Sequence, residues 1–280
     1  MSIEWFPGHM LTAKKEAAEA MAKNDVVIEV LDARIPYASC NPMIETLRKK
    51  NQRPALKILN KVDLADPEQT RAWLDYYNRQ DRTRAIALAA KNSGEVARIP
   101  KECAALTASS AKRKQPLCLM ILGVPNVGKS TLMNTLLGKP VAKVGNEPAI
   151  TKHQMRHQLK NGMWLTDTPG MLWPGVSQES AVRLAAVHSI GRNAYTDDEV
   201  ALFLAKYLLQ HYRAAFESRF KATEPYADEH AAIAQIAKAR SYAAKGAPDL
   251  SRAAAALLTD FRSGAIGRIT LERVEALRLS

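Results

Sequence analysis

The feature of the sequence that most constrains the fold is residues 123–130, G-V-P-N-V-G-K-S, which match the pattern G-x-x-x-x-G-K-[ST] at every fixed position. The apolar run Leu117–Leu122 precedes this stretch and predicts a strand, while Thr131–Leu137 follows it and predicts a helix. The glycines let the backbone wrap around an anion, so that successive amides and the helix N-terminus point at negative charge. A loop of this kind between a buried strand and a helix predicts a phosphate-binding α/β domain.

Short apolar runs that alternate with helical stretches predict the rest of that domain. The runs end in polar loops and are rich in β-branched residues or continuously apolar, as in strands buried on both faces of a parallel sheet. They cover Val26–Leu31, Ala55–Leu59, Ala85–Leu88 and Leu117–Leu122, with helices predicted at Asn41–Lys50 and Pro67–Arg79. We therefore expect an α/β fold, a P-loop domain built on a parallel-type sheet.

Beyond residue 176 the sequence is mostly helical. Residues 196–199 form a capping-box pattern, in which a hydroxyl and a carboxylate satisfy the first free amides of a helix. An apolar stripe with helical spacing follows at Val200, Phe203, Leu204, Tyr207 and Leu208, and further helices are predicted at Asp228–Tyr242 and Leu250–Arg262, the second closed by Gly264. We divide the chain into residues 1–176, with an N-terminal helix within residues 1–24, and a small all-helical C-terminal domain at residues 177–280.

Two segments supply the residues expected to bind phosphates and metal. In the glycine-rich loop these residues are Asn126, Val127, Gly128, Lys129, Ser130 and Thr131. Lys129 should reach the outer phosphates, and the hydroxyl of Ser130 should ligate magnesium. In the later segment D-T-P-G, at residues 167–170, Asp167 can hold magnesium through water while the amide of Gly170 senses the outermost phosphate. Thr151 lies between the two segments, where a switch threonine should close on the metal.

Asn60-Lys61-Val62-Asp63, at the end of the predicted strand Ala55–Leu59, indicates which base is bound. A carboxylate at Asp63 can accept hydrogen bonds from both N1–H and the 2-amino group of guanine. Adenine has no such pair of donors, so a buried carboxylate there would reject it. Asn60 can bond the other edge of the base, and the stem of Lys61 can cover the ring. Together with the phosphate loop, this pattern predicts binding of GTP and GDP.

The order of these motifs is permuted, because N-K-V-D precedes the phosphate loop instead of following D-T-P-G. The same sheet is kept if its old ends are joined and new ends are opened after D-T-P-G, since surface loops tolerate such a cut. In this order Gly170 leads directly into the C-terminal helices. Loss of the γ-phosphate could therefore move them.

Charge, cysteine content and hydropathy limit the partners and the compartment. The net charge of +12 comes mostly from the first 176 residues and favours a polyanionic partner such as RNA. The three cysteines lie far apart without a C-x-x-C pair, which argues against a zinc module or disulfides and suits the reducing cytoplasm. No apolar run is long enough to cross a bilayer, and no signal pattern opens the chain. We expect a cytoplasmic monomer with no membrane or DNA partner.

With the motif order established, the chain resembles the ribosome biogenesis GTPase A family of circularly permuted GTPases. The segments that carry the resemblance are Trp5–Met10 (W-F-P-G-H-M), Asp32–Pro36, Asn41–Met43, Asn60–Asp63, Pro125–Ser130, Asp167–Gly170, Leu172–Pro174 and Gly267–Glu272. The resemblance implies a factor that acts late in assembly of the large ribosomal subunit. It also implies contact with that particle and its rRNA, and GTP hydrolysis that the particle stimulates.

The resemblance also implies two residues for catalysis. Met171 follows D-T-P-G, and methionine cannot orient water by hydrogen bonding. In the family the histidine of the opening motif has been proposed for this task, which corresponds to His9 here. Asn126 resembles the asparagine that helps related GTPases bind potassium, whose charge could replace that of an arginine finger. The opposing interpretation is that His9 packs or caps near the N-terminus.

The chain departs from the family pattern in two places, and two other functions compete with that of a ribosome-assembly GTPase. The last base-contacting loop is Ala89-Ala90-Lys91 where the family often has serine, although the amides of Ala89 and Ala90 could still bind the guanine oxygen. Ala149 stands where a glycine is frequent, so we expect a stiffer switch. A nucleotide-gated binding protein with incidental hydrolysis is the second reading, and a P-loop ATPase or kinase, disfavoured by Asp63, is the third.

Overall fold

The computed structural model describes residues 7–108, 116–141, 155–191, 194–221, 227–244 and 247–278, with side chains from residue 15 to residue 277 of those ranges. Its first part is built on β1 (Val26–Asp32), β2 (Ala55–Asn60), β3 (Thr83–Leu88), β4 (Cys118–Leu122), β5 (Met155–Gln158) and β6 (Trp164–Asp167). These strands form one sheet in the order β3-β2-β1-β4-β6-β5. All pairs are parallel except β5 with β6, which is antiparallel.

Helices cover both faces of the sheet, as its continuously apolar strands require. They are α1 (Pro7–Ala22), α2 (Pro42–Lys50), α3 (Pro67–Asn78), α4 (Ser93–Val96), α5 (Ile99–Leu106) and α6 (Lys129–Leu137). Successive residues of β1 point to opposite faces. Val26 and Ile28 therefore pack in the cluster that includes residues of α5 and α6, and Val27 packs in the cluster that includes α1 and α2. The predicted α/β fold with a parallel sheet is confirmed, with β5 as an antiparallel edge strand that was not predicted.

The strand register brings the ends of the parallel strands to one edge of the sheet. Asp32 pairs with Asn60, and Asn60 pairs with Leu88 on the other side. In the other half of the sheet, Ile121 pairs with Asp167. Ligands of open α/β sheets bind beyond the carboxyl ends of the strands. This edge is therefore where the motifs of the sequence meet.

The second part of the chain is helical, as predicted. Its helices are α7 (Gln178–Ala186), α8 (Asp197–His211), α9 (Arg213–Phe220), α10 (Glu229–Ala239) and α11 (Leu250–Ser263), and a short antiparallel pair, β7 (Ala243–Ala244) and β8 (Ala247–Pro248), precedes α11. The predicted capping box at the start of α8 is present, with Thr196 and Glu199 bonding each other's backbone amides. Gly264, at φ +79°, closes α11.

After α11 the chain returns to the first part of the molecule, which was not predicted. We call residues 264–272 the returning segment. Ile266, Ile269 and Leu271 are buried in the same hydrophobic cluster as the sheet and the C-terminal helices. The amide of Leu271 donates to the carbonyl of Arg34 at 2.7 Å. A short 3₁₀ helix, Val274–Arg278, follows and contacts α3.

Some sequence predictions fall outside what the structure describes. Thr151 and the basic stretch 112–114 lie beyond the described ranges. His9 lies in the first turn of α1, but the side chains of that turn are not among those described. None of the helices within the described ranges is long and apolar enough to span a membrane.

Candidate functional site

The glycine-rich loop joins β4 to α6, as predicted, and two of its positions admit only glycine. A Cβ on Gly123 would lie 2.6 Å from the carbonyl oxygen of Val30. Gly128 has φ +94°, and a Cβ there would lie 2.3 Å from Nδ2 of Asn60. Neighbouring strands therefore pack directly on the loop backbone. Side chains at these positions would push the loop out of shape.

Asn60 connects three loops at the edge of the sheet. It is buried at the end of β2. Its Nδ2 donates to the carbonyl of Val127 at 2.7 Å, and its Oδ1 accepts from the amide of Ala90 at 2.9 Å. One side chain thus fixes the N-K-V-D segment against the glycine-rich loop and against the loop that follows β3.

Lys61 makes a second connection from N-K-V-D to the glycine-rich loop. Its Nζ donates to the carbonyl of Asn126 at 2.7 Å and to Oδ2 of Asp32 at 2.8 Å. Arg34 also binds Asp32, through Nε at 2.9 Å and Nη2 at 2.8 Å. Burial opposes ionisation of Asp32, but the charges of Arg34 and Lys61 outweigh it and hold the pKa of Asp32 well below its usual range. Asp32 therefore stays ionised and orients the lysine.

Sequence reasoning did not assign Asp32 or Arg34 to the site, although both lie in a segment that carried the family resemblance. A usable signal was present, because Asp32 ends a strand whose carboxyl end lies at the same edge as that of β2. Only the three-dimensional contact with Lys61 shows what the carboxylate does.

Asp63 is exposed, whereas the sequence led us to expect a buried carboxylate. The turn that presents it starts with Lys61 in the left-handed region at φ +64° and is closed by the amide of Leu64, which donates to the carbonyl of Lys61 at 2.9 Å. The carboxylate acts on the neighbouring Lys61 through its charge. Selection of a base by Asp63 would thus depend on desolvation by the base itself, not on a pre-buried charge.

The loop after β3 differs from expectation in its hydrogen bonds. The amide of Ala89 donates to Oε2 of Glu95 at 2.8 Å, and the amide of Ala90 donates to Asn60. Both amides thus have acceptors within the protein. A guanine oxygen at either position would have to share or replace that bond.

The D-T-P-G segment lies against the glycine-rich loop. Lys129 and Asp167, both buried, form a short ion pair. The hydroxyl of Thr168 donates to the carbonyl of Ile121 at 2.8 Å, and the amide of Met171 donates to Gly123 at 3.2 Å. These bonds place a lysine and a carboxylate side by side where the loop meets α6.

The oxygen donors at this point fit a magnesium ion. Asp167 supplies a buried carboxylate, and Ser130, in the first turn of α6, supplies a hydroxyl. Magnesium prefers such hard oxygen ligands together with phosphate oxygens. Gly170 sits close by, since a Cβ on it would lie 3.4 Å from the backbone of Pro125.

The glycine-rich loop also contacts the helical part of the chain. Nδ2 of Asn126 donates to the carbonyl of His188 at 2.6 Å. His188 lies just after α7 and has φ +66°. Asn126 itself is in the left-handed region, at φ +60°. A change in this loop would therefore reach the C-terminal helices through a direct hydrogen bond, in addition to the covalent route through Gly170.

Comparison with known proteins gives matches over most of the chain. Residues 118–238 match the family described as 50S ribosome-binding GTPase. Ribosome biogenesis GTPase A of Priestia megaterium is 35% identical over 282 residues, covering 97% of each protein. Mitochondrial ribosome-associated GTPase 1 of Bos taurus is 31% identical, covering 96% of this chain and 88% of the relative. A solved structure described as GDP-bound TM YlqF has a TM-score of 0.65 at 25% identity and covers 93% of this chain and 99% of that chain.

Proposed function

The chain belongs to the ribosome biogenesis GTPase A family, and on that premise we propose that it hydrolyses GTP to GDP and phosphate while assisting assembly of the large ribosomal subunit. The observation that carries the proposal is the pair of bonds from Asn60 and Lys61 to the glycine-rich loop. Through them the segment that would bind guanine and the loop that would bind phosphates form one rigid unit. Such preorganisation favours binding because little freedom is lost when the ligand arrives.

The residues divide into a base end and a phosphate end. At the base end Asp63 accepts the N1–H and 2-amino donors of guanine, Asn60 and Lys61 hold the loop in place, and Val62 anchors the turn by packing beside α3. Ala89 and Ala90 border the base. At the phosphate end, the amides of residues 126–131 surround the phosphates and the Lys129 ammonium neutralises their charge.

Magnesium is the metal that the donor set fits. Ser130 and Asp167 would hold it, together with Thr151, which we keep as the proposed switch ligand. Bound there, the ion would neutralise charge that develops between the β- and γ-phosphates. Lys129 now pairs with Asp167. It would exchange that carboxylate for phosphate oxygens, and Asp167 would then be available to the metal.

Two further proposals concern the attacking water and the positive charge that would replace an arginine finger. We keep His9 as the residue that orients the water, as the family resemblance implies. It lies in the first turn of α1, and the opposite end of that helix is anchored beside D-T-P-G, where Met21 shares a buried cluster with Met171. We keep Asn126 as a ligand of potassium. Hydrolysis rates that are equal in potassium and sodium buffers would argue against that role.

The partner and the coupling follow from the same arrangement. We assign the GTPase domain to residues 1–176 and the ribosome- and rRNA-binding part to residues 177–280, in a cytoplasmic monomer. The bond from Asn126 to His188 gives nucleotide state a direct route to the second domain. The same contact also favours the second candidate, a nucleotide-gated RNA- or protein-binding switch whose hydrolysis is incidental.

The test is GTP hydrolysis with and without purified large ribosomal subunits, in potassium and in sodium buffer. The wild type is compared with His9→Ala and with a matched control, His230→Ala, whose histidine is exposed on α10. Stimulation by subunits that only His9→Ala loses, with GDP binding intact, supports both the function and the histidine. Stimulation that survives in His9→Ala removes the histidine from the mechanism. Without stimulation, nucleotide-dependent binding to subunits would identify the gated switch.

A further inference from the structure

The returning segment binds the loop that carries Asp63 through three backbone carbonyls, those of Val62, Leu64 and Ala65. The guanidinium of Arg268 donates from Nη2 to the carbonyl of Val62 at 2.7 Å and from Nε to the carbonyl of Ala65 at 2.8 Å. The amide of Ile269 donates to the carbonyl of Leu64 at 3.0 Å. The carbonyls on both sides of Asp63 are thus held by residues about two hundred positions later in the sequence.

The returning segment is itself firmly attached, so it can act as a support. Ile269 and Leu271 are buried, and Leu271 bonds the backbone of Arg34. The hydroxyl of Thr270 accepts from the amide of Asp66 at 3.1 Å. At its start, a Cβ on Gly264 would lie 2.7 Å from the side chain of Leu64. The segment is therefore packed against residues 62–66, from within N-K-V-D to the start of α3.

Arg268 is the member of this contact whose side chain is not needed for the core. The residue is exposed, while its neighbours Ile269 and Thr270 are buried. Its planar fork spans the turn from Val62 to Ala65, a geometry that a flexible lysine ammonium reproduces only in part. Within the turn itself, the bond from the amide of Ala65 to the carbonyl of Val62 is long, at 3.4 Å. The guanidinium thus reinforces the 62–65 turn, whose own hydrogen bond is longer than the 2.9 Å bond that closes the preceding 61–64 turn.

We infer that Arg268 is a positioning residue for guanine selectivity, which it secures by holding the backbone on either side of Asp63. The inference rests on the proposed GTP-binding function and adds a residue from outside the nucleotide motifs. If the turn is released, Asp63 spends only part of its time in the orientation that accepts both guanine donors. The apparent affinity for guanine nucleotides falls in proportion to that fraction. Contacts to the phosphates are made elsewhere and stay as they are.

The experiment compares GDP with ADP, because ADP uses only the phosphate end of the site. A fluorescent GDP analogue is titrated into wild type, Arg268→Met, Arg268→Lys and the control Arg71→Met, an exposed arginine on α3. Unlabelled GDP and ADP are then competed against it. We expect Arg268→Met to lower the affinity for GDP about tenfold, which corresponds to a turn that is correctly formed about a tenth of the time. The affinity for ADP should not change, Arg268→Lys should fall between, and Arg71→Met should match the wild type.

Steady-state kinetics separate positioning from general loss of structure. In GTP hydrolysis, KM should rise with kcat unchanged in Arg268→Met, since the chemistry takes place at the phosphate end. Unaltered GDP affinity in Arg268→Met would overturn the inference, and so would an equal loss of GDP and ADP affinity. If the wild type itself does not prefer GDP to ADP, the proposed function fails first, and the inference fails with it.

Discussion

Replacing Lys57 by Met would leave a buried carboxylate without its cationic partner in the centre of the sheet. Lys57 on β2 lies directly opposite Glu29 on β1, and both side chains are almost fully buried, at 1% and 2% exposure. Nζ of Lys57 bonds Oε2 of Glu29 at 2.6 Å. Burial alone would lower the pKa of Lys57, but the carboxylate of Glu29 more than offsets this and raises the pKa above its usual value. Lys57 therefore stays charged inside the sheet.

The magnitude follows from the burial of the pair. Removing one member of a buried ion pair costs about 3–5 kcal/mol, because the other charge is left uncompensated. We expect that loss in the free energy of unfolding of Lys57→Met. Glu29→Gln keeps an acceptor for the amide of Asn41, which in the wild type donates to Oε1 of Glu29 at 2.8 Å. It still leaves the ammonium of Lys57 beside the uncharged thiol of Cys40, at 3.1 Å, and the more distant carboxylate of Glu45, at 3.8 Å.

The double variant separates charge pairing from packing. Glu29→Gln with Lys57→Met carries no buried charge, so its loss should be smaller than the sum of the two single losses by at least about 2 kcal/mol. Urea unfolding followed by tryptophan fluorescence and circular dichroism measures all four proteins. Lys50→Met, at an exposed position at the end of α2, is the matched control and should not change stability. Additive single losses, or a Lys57→Met protein as stable as wild type, would refute the reasoning.

Three other predictions concern the site and the returning segment. Asp63→Asn should lower GDP affinity at least about a hundredfold and favour xanthosine diphosphate, because the amide donates to the 2-carbonyl of xanthine. Competition binding measures both affinities, and an unchanged preference for GDP would exclude Asp63 from base recognition. Gly128→Ala should abolish binding of a fluorescent GDP analogue, since its Cβ would meet Asn60, whereas Gly162→Ala, at φ +85° with open space around it, should bind normally. Burial, partly offset by Arg183, raises the pKa of Glu272 to about 7 from 4.5, so the folded protein holds this proton more tightly than the unfolded chain does. The resulting stability is complete below pH 4.5 and is lost as pH rises through 7, which amounts to roughly 3 kcal/mol between pH 5 and 8. Urea unfolding should therefore show that the free energy of unfolding of wild type relative to Glu272→Gln changes with pH. A difference between the two proteins that is constant with pH would contradict this.

The sequence predicted the strands of the sheet centre well because these strands are buried on both faces. The run Val26–Leu31 became Val26–Asp32 in the structure, and Ala55–Leu59 became Ala55–Asn60. Strand β5, with the sequence M-R-H-Q, was missed because an exposed edge strand has no apolar run to reveal it. Its pairing with β6 depends on a neighbour that local composition does not show.

The meeting of N-K-V-D with the glycine-rich loop could be predicted, since the carboxyl ends of parallel strands share one edge. The hydrogen bonds within that edge could not. Glu95 accepts from the amide of Ala89 only because a short helix folds back after β3, and no motif announces this. The exposure of Asp63 likewise depends on how the turn is oriented, not on the identity of its residues.

The register of β1 with β2 and the return of the chain to the sheet after α11 could not be predicted from the sequence. Glu29 and Lys57 each interrupt an apolar strand, but only the pairing of β1 with β2 sets them opposite each other. The returning segment has no helical or strand periodicity that would place it against residues 62–66. Its contacts are set by the packing of the C-terminal helices, which carry it back to the sheet.

The contact between Arg268 and Val62 also determines when the nucleotide site can be completed during synthesis of the chain. The two residues are 206 positions apart. At about 5–20 residues per second, translation reaches Arg268 on the order of 10–40 s after Val62. Throughout that interval the emerging chain already contains its base-recognition turn, but not the arginine that braces it. A nascent chain should therefore complete its nucleotide site late, close to the end of its own synthesis.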